Sequence, residues 1–135
     1  MDKVPSFEIF IPILPVPKAH RRYGKRIVLT DSCRDYQRQV TEFLEKHKID
    51  TLDGYIWADY TFYLKRPSSS KMDYPARKPD HDNLVKSLQD CLERAAIIKN
   101  DSRIVVCTTR KVFVCGKGSD GVISVGTKVQ LGLLA

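Results

Sequence analysis

Residues 80–96, DHDNLVKSLQDCLERAA, decide how this chain folds and where its chemistry lies. Leu84, Leu88, Cys91, Leu92 and Ala95 fall on one side at about 100° per residue, and Asp82, Lys86, Gln89 and Glu93 fall opposite. That predicts an amphipathic helix from Asp82 to Ala96, with Asp82 and Lys86 sharing its exposed face. The apolar stripe needs a sheet to cover it, and both flanks offer one. Upstream, Tyr55 to Leu64 is dense in aromatic and β-branched residues and follows Gly54, the pattern of a strand after a turn. Downstream, Ile104 to Cys115 and Val122 to Gln130 read as two more strands. The run from Gly116 to Gly121 between them reads as a hairpin loop.

Toward the N-terminus, Ser6 to Leu14 alternates polar and apolar residues and stops at Pro15 and Pro17, which predicts a first strand. A basic loop or edge follows, with Lys18, His20, Arg21, Arg22, Lys25 and Arg26 around Tyr23 and Gly24, before the β-branched stretch Ile27 to Thr30. Asp31 or Ser32 caps a helix running to about Lys48, whose buried stripe is Tyr36, Val40, Phe43 and Leu44. Arg66 to Lys78 is rich in Pro, Ser and basic residues and reads as a loop. The order β, β, α, β, α, β, β predicts a two-layer α+β domain, a mixed sheet with two main helices packed on it, with the strand order left open.

A chain of 135 residues suits a single domain spanning 1–135. With 42% hydrophobic and 29% charged residues, it is far from disordered or collagen-like composition. A net charge of +7 and a pI near 9.3 favour polyanionic partners, although a solvated positive face would leave the same signature. Cys33, Cys91, Cys107 and Cys115 form no C-x-x-C pair and have no His at ligand spacing, which argues against zinc or thioredoxin-type chemistry. They read as buried free thiols in a reducing cytosol. The start, Met1 to Pro5, lacks the apolar run of a signal peptide and no span reaches membrane length, so the expectation is a cytoplasmic protein with no membrane partner.

The informative constellation is Lys78-Pro79-Asp80-His81-Asp82-Asn83-Leu84-Val85-Lys86 with Asn100-Asp101-Ser102-Arg103-Ile104. Phosphodiester hydrolysis needs a nucleophilic water and relief of charge on the phosphate, and a carboxylate-held Mg²⁺ supplies both. Asp80, Asp82 and Asp101 are hard oxygen ligands of the right type. If the chain is extended through His81, the carboxylates on either side point the same way and one cation could bridge them, while His81 points away. Each acid also has a plain structural reading, Asp80 or Asp82 as a helix cap and Asp101 as an Asx turn. Two acids this close repel unless a cation or proton intervenes, which weakens the capping reading for the pair. Lys86 either stabilises charge on the scissile phosphate or forms an i,i+4 salt bridge with Asp82. Asp90 reads as solvated.

This stretch resembles the RusA family of Holliday-junction resolvases, common in bacterial prophages. The resemblance rests on Asp80-x-Asp82-Asn83-Leu84-x-Lys86, on Asp90, and on Asp101 followed by Ile104. It implies a homodimeric endonuclease that nicks four-way DNA junctions symmetrically with Mg²⁺, or Mn²⁺ in its place. Asp80, Asp82 and Asp101 would be its ligands and Lys86 its base or phosphate contact. Two departures stand out: Asn100-Asp101 where some members carry two acids, and Lys18, Arg21 and Arg22 where others are Asn-rich.

Geometry adds an expectation of its own. A helix from Asp82 to Ala96 is roughly 21 Å long, and the five residues onward to Asp101 reach back at most about 17 Å. Asp101 therefore sits badly for Asp80 and Asp82 of its own chain. Two subunits with antiparallel second helices would let Asp101 of one complete the metal site of the other. For DNA, Lys18, Arg21, Arg22, Lys25, Arg26, Lys65, Arg66, Lys71, Arg77, Lys78 and Asn83 are the candidate contacts, the cations positioning phosphates without reading sequence. The competing readings are a non-catalytic module that binds branched DNA, and a flap or single-strand endonuclease using the same metal site.

Overall fold

The computed structural model describes residues 5–134. Met1 to Val4, on which most of the reading of the N-terminus rests, lie outside them.

The sheet is built around β4 (Ile56–Lys65), which is buried along almost its whole length. Its composition, IWADYTFYLK, supplies apolar or aromatic side chains on both faces, as a central strand requires. β6 (Gly126–Leu133) pairs antiparallel with β4 on one side, and β5 (Ile104–Val114) pairs parallel with it on the other. β1 (Phe7–Ile11) adds antiparallel to β6, giving the order β1-β6-β4-β5. The expected mixed sheet is present. The expected hairpin between the last two strands is not, because β4 lies between them. Parallel β4 and β5 need a long crossover, and helix α2 (His81–Arg94) is part of it. The last strand also starts later than Val122. At Gly126, with φ +155°, a Cβ would lie 2.4 Å from the Ile11 carbonyl oxygen and 2.7 Å from the Phe10 ring, so only glycine lets β6 enter beside β1.

Helix α1 (Asp31–Lys46) is capped by neither Asp31 nor Ser32 but by the residue before them: Thr30 is the N-cap and its hydroxyl accepts from the Cys33 N–H at 3.3 Å. The predicted stripe holds, with Tyr36, Val40 and Leu44 buried and Phe43 packed against them. α2 turns Leu84, Leu88, Cys91 and Leu92 into the same core, against Ile56, Ala58, Tyr60 and Phe62 of β4. Its helical run ends at Arg94, and Ala96 takes a left-handed φ of 57°. The basic segment forms a small hairpin of its own, β2 (His20–Tyr23) and β3 (Arg26–Leu29), turned at Gly24 with φ +57°. Of the thiols, Cys33 and Cys91 are buried as expected, but Cys107 and Cys115 are exposed. Cys107 lies on an edge strand and Cys115 follows the end of that strand, so their apolar surroundings in the sequence do not translate into cover.

Candidate active site

α2 begins one residue before Asp82, at His81, with Asp80 as the N-cap residue in extended conformation (φ −71°, ψ 143°). The chain is therefore not extended through His81, and the alternation argument for the two acids does not apply. What brings them together is the helix start itself, since Asp80 and Asp82 both emerge at the N-terminal end of α2. Asp80 occupies the capping position without capping, because its carboxylate accepts no bond from the helix. Neither the Asp80 nor the Asp82 carboxylate forms a hydrogen bond or ion pair among the described residues, although the Asp80 carbonyl accepts from the Leu84 N–H at 3.2 Å. The free N–H groups and positive end of the helix dipole favour negative charge there. Lys86, one turn further on, is exposed and equally unpartnered, so the i,i+4 salt bridge with Asp82 is not formed.

Asp101 lies at the opposite end of the helix. Its N–H donates to the Glu93 carboxylate at 2.7 Å, thirteen residues along from Asp80, a rise of about 20 Å. The Asx turn expected of Asp101 is made by Asn100, whose side-chain oxygen accepts from the Ser102 N–H at 2.9 Å. That leaves the Asp101 carboxylate exposed and without a partner among the described residues. No group of three or more His, Cys, Asp or Glu side chains placed to hold a metal ion occurs among the described residues. One chain thus offers two unpartnered carboxylates at one end of α2 and a third at the other, all hard oxygen donors of the kind Mg²⁺ or Mn²⁺ takes.

Asp90 is not solvated. Its carboxylate pairs with Lys18 at 2.9 Å and accepts from the Gln37 amide at 3.1 Å, tying α2 to α1 and to the strand exit after Pro17. Lys18 is therefore committed at its ammonium, and its backbone N–H donates to the Asn83 carbonyl at 2.9 Å. These bonds fasten the basic segment to the first turn of α2.

A groove of about 960 Å³ opens beside Asp80 and Asn83. Lys65, Lys71, Arg77 and Lys78 line it among prolines, Met72 and Phe113. Arg66 turns inward instead, over the Phe113 ring at 4.5 Å and onto the carbonyls of Met72 and Lys117. On the β2–β3 hairpin, Arg21 leans on Tyr23 at 5.0 Å and pairs with Asp31 at 3.6 Å. Arg22, Lys25 and Arg26 are exposed there, with no ion pair among the described residues. One residue of the site lay outside the sequence reading. Lys111, in β5, donates to the carbonyls of Arg77 and Pro79 at 3.1 and 3.0 Å and so holds the loop that delivers Asp80. A lone lysine in a strand gives no signal of such a task.

Comparison with known proteins identifies the family. Residues 12–118 match the family model for endodeoxyribonuclease RusA. A crossover junction endodeoxyribonuclease RusA from Aquifex aeolicus (strain VF5) is 33% identical over 128 residues, covering 91% of this chain and 92% of its own length. The matched region contains the β2–β3 hairpin, both helices and all three acids, and on these grounds the chain belongs to the RusA family of endodeoxyribonucleases.

Proposed function

We propose that this endonuclease resolves four-way DNA junctions by symmetric paired nicks, acting as a homodimer with Mg²⁺, for which Mn²⁺ can substitute. The observation that carries this reading is the pair of unpartnered carboxylates, Asp80 and Asp82, at the N-terminal end of α2 with unpartnered Lys86 one turn away. Family membership and the name of the Aquifex relative supply the substrate class.

Asp80 and Asp82 hold the cation through oxygen, and the partner subunit's Asp101 completes the ligand set. A bound divalent ion there neutralises charge on the phosphate and lowers the pKa of an attacking water. Lys86 projects from the outward side of α2 beside these acids and sets a positive charge against the developing phosphate charge. Lys65, Lys71, Arg77 and Lys78 line the groove at the site, with Asn83 at its edge, and contact the strand that carries the scissile bond. The hairpin cations Arg21, Arg22, Lys25 and Arg26 hold a neighbouring arm by its phosphates. Lys18 and Arg66 serve mainly to position the segments that present these groups. The chain acts as one domain over 1–135 in the cytoplasm, a placement compatible with the lack of any helix long and apolar enough to cross a membrane among the described residues.

The test is cleavage of a labelled synthetic four-way junction with Mg²⁺ or EDTA, beside D82N and a matched linear duplex. Paired symmetric nicks that require metal and Asp82 and spare the duplex support the reading. Tight junction binding with no cuts under Mg²⁺ or Mn²⁺ replaces it with a branched-DNA-binding module, and preferential cleavage of a flap replaces it with a flap nuclease.

A further inference from the structure

The Asp80 carboxylate makes no capping bond, so α2 itself does not orient it. Its direction is set by the path of the chain on either side. Downstream, the Asp80 carbonyl accepts from the Leu84 N–H at 3.2 Å, which ties the following peptide to the helix. Upstream, the carbonyls of Arg77 and Pro79 both accept from the Lys111 ammonium, at 3.1 and 3.0 Å. Among the described residues, these two are the hydrogen bonds that reach 74–79 from another element. The remaining bond there is local, from the Ala76 N–H to the Tyr74 carbonyl at 2.8 Å.

Lys111 stands on a firm support. β5 is paired with β4 as far as Val114, and in that ladder Lys111 lies opposite Phe62. Residues that face each other across a ladder project to the same side of the sheet, and Phe62 packs in the core with Leu84 and Leu88 of α2. Lys111 therefore emerges on the helix side of the sheet, toward the start of α2. Its neighbour Arg110 emerges on the other side and pairs with Asp59 at 2.9 Å. An ammonium has three donors, and both bonds from Lys111 are charge-assisted, which makes them stronger ties than neutral pairs.

We propose that Lys111 is a positioning residue for the metal site: by holding 77–79 against β5, it fixes the direction in which Asp80 presents its oxygens to the cation. The inference deepens the proposed function and rests on its reading of Asp80 and Asp82 as ligands of a divalent ion. A group that orients a ligand without touching the metal typically changes metal affinity by roughly 10- to 100-fold. A carboxylate freed to swing still binds, at a higher metal concentration. Loss of Lys111 should therefore raise the metal requirement and leave the chemistry at saturating metal intact.

Three measurements on Lys111→Met test this, with Arg110→Met as the control that removes the neighbouring cation from the other face. The first needs neither metal nor DNA. Trypsin attacks the Arg77 carbonyl, one of the two that Lys111 holds, so K111M should be cut after Arg77 about tenfold faster than the wild type or R110M, through easier local opening. Cuts in the β2–β3 hairpin should be unchanged. The second is Mn²⁺ binding without DNA, read by electron paramagnetic resonance: K111M should bind at least about tenfold more weakly, and R110M as the wild type does. The third is junction cleavage against Mg²⁺ concentration. Half-saturation of K111M should move up by the same factor, with the rate at saturating Mg²⁺ within about twofold of wild type. A merely structural defect would instead lower the rate at every Mg²⁺ concentration. Wild-type trypsin sensitivity or Mn²⁺ affinity in K111M, or a rate that Mg²⁺ does not restore, overturns the inference. A wild type that binds no Mn²⁺ overturns the metal reading itself, and the inference with it. If K111M does not fold, Lys111→Gln, polar but shorter, is put through the same series and judged by the same outcomes.

Discussion

The backbone N–H of Asp101 donates to the carboxylate of Glu93, and this bond holds the third proposed ligand at the end of α2 remote from Asp80. In the proposed shared site, the centre that uses all three acids draws on two chains. D80N and D101N should each lose cleavage by at least about a hundredfold, as expected where several kcal/mol of charge stabilisation depend on a ligand. Mixed and reassorted, they should form mixed dimers with one intact site each, in roughly half of the population. Nicking should recover to about a quarter of the wild-type level, without paired cuts. No recovery after confirmed subunit exchange would overturn the shared site.

Lys86→Ala separates chemistry from binding. Lys86 is exposed and forms no ion pair, so its removal should change folding stability by no more than about 0.5 kcal/mol in urea melts. Junction affinity should stay within about twofold, while cleavage falls by roughly 10² to 10³, the usual cost of losing one group aimed at developing charge. An equal loss of affinity would make Lys86 a simple phosphate contact.

Asp90→Ala should behave in the opposite way. It removes the partner of the Lys18 ammonium and one of the two bonds made by the Gln37 amide, which keeps only Ser87 at 3.4 Å, and Gln37 is fully buried. A loss of about 1 to 2 kcal/mol is expected from these lost bonds, with cleavage by the folded fraction retained. A stable D90A protein with dead chemistry would move Asp90 into the catalytic set.

Replacing Arg22, Lys25 and Arg26 together with alanine removes three exposed hairpin cations with no internal partner. If each touches a phosphate, the slope of log affinity against log salt should flatten by about 2 to 3. An unchanged slope would mean that the hairpin faces away from DNA.

The thiols report on burial. Burial pushes the Cys91 thiol up to about 12, and Cys33 is fully buried, so both should resist a thiol reagent until the protein unfolds. Cys115 should react at once. Cys107, exposed on β5, should also react in the folded protein. Reaction of Cys33 or Cys91 in the folded protein at the Cys115 rate would count against their burial.

Much of this was legible from residue pattern because the signals are local. The 3.6-residue stripes of α1 and α2 and the apolar density of β4 each predicted their element to within a residue or two. The helix starts were less legible. Thr30 rather than Asp31 caps α1, and α2 admits His81, because Thr, Asp and Ser in succession offer several competent caps and only the tertiary path selects one. The last two strands were misjudged as a hairpin because Gly116 to Gly121 carries strong turn chemistry. Pairing was decided instead by burial: β6 packs as an inner strand, whereas the middle of β5 stays bare and suits an edge. The order β4, α2, β5 did hold the clue, since a helix between two strands is the mark of a parallel pair. The acids were found by type and spacing, but whether each had a partner was not in the sequence. Asn100 taking the turn and Asp90 taking Lys18 are what set Asp101 free and rule Asp90 out.

The crossover that makes β4 and β5 parallel also makes α2 a ruler. With one acid pair at its start and the third acid at its end, the distance between the two cutting points of the proposed dimer is written into one rigid rod of about 20 Å. Loops can lengthen or drift without changing that gauge. Only whole turns added to or removed from α2 would reset it, widening the stagger between nicks by about 5 Å per turn, which sequencing the cut ends of a lengthened variant would read directly.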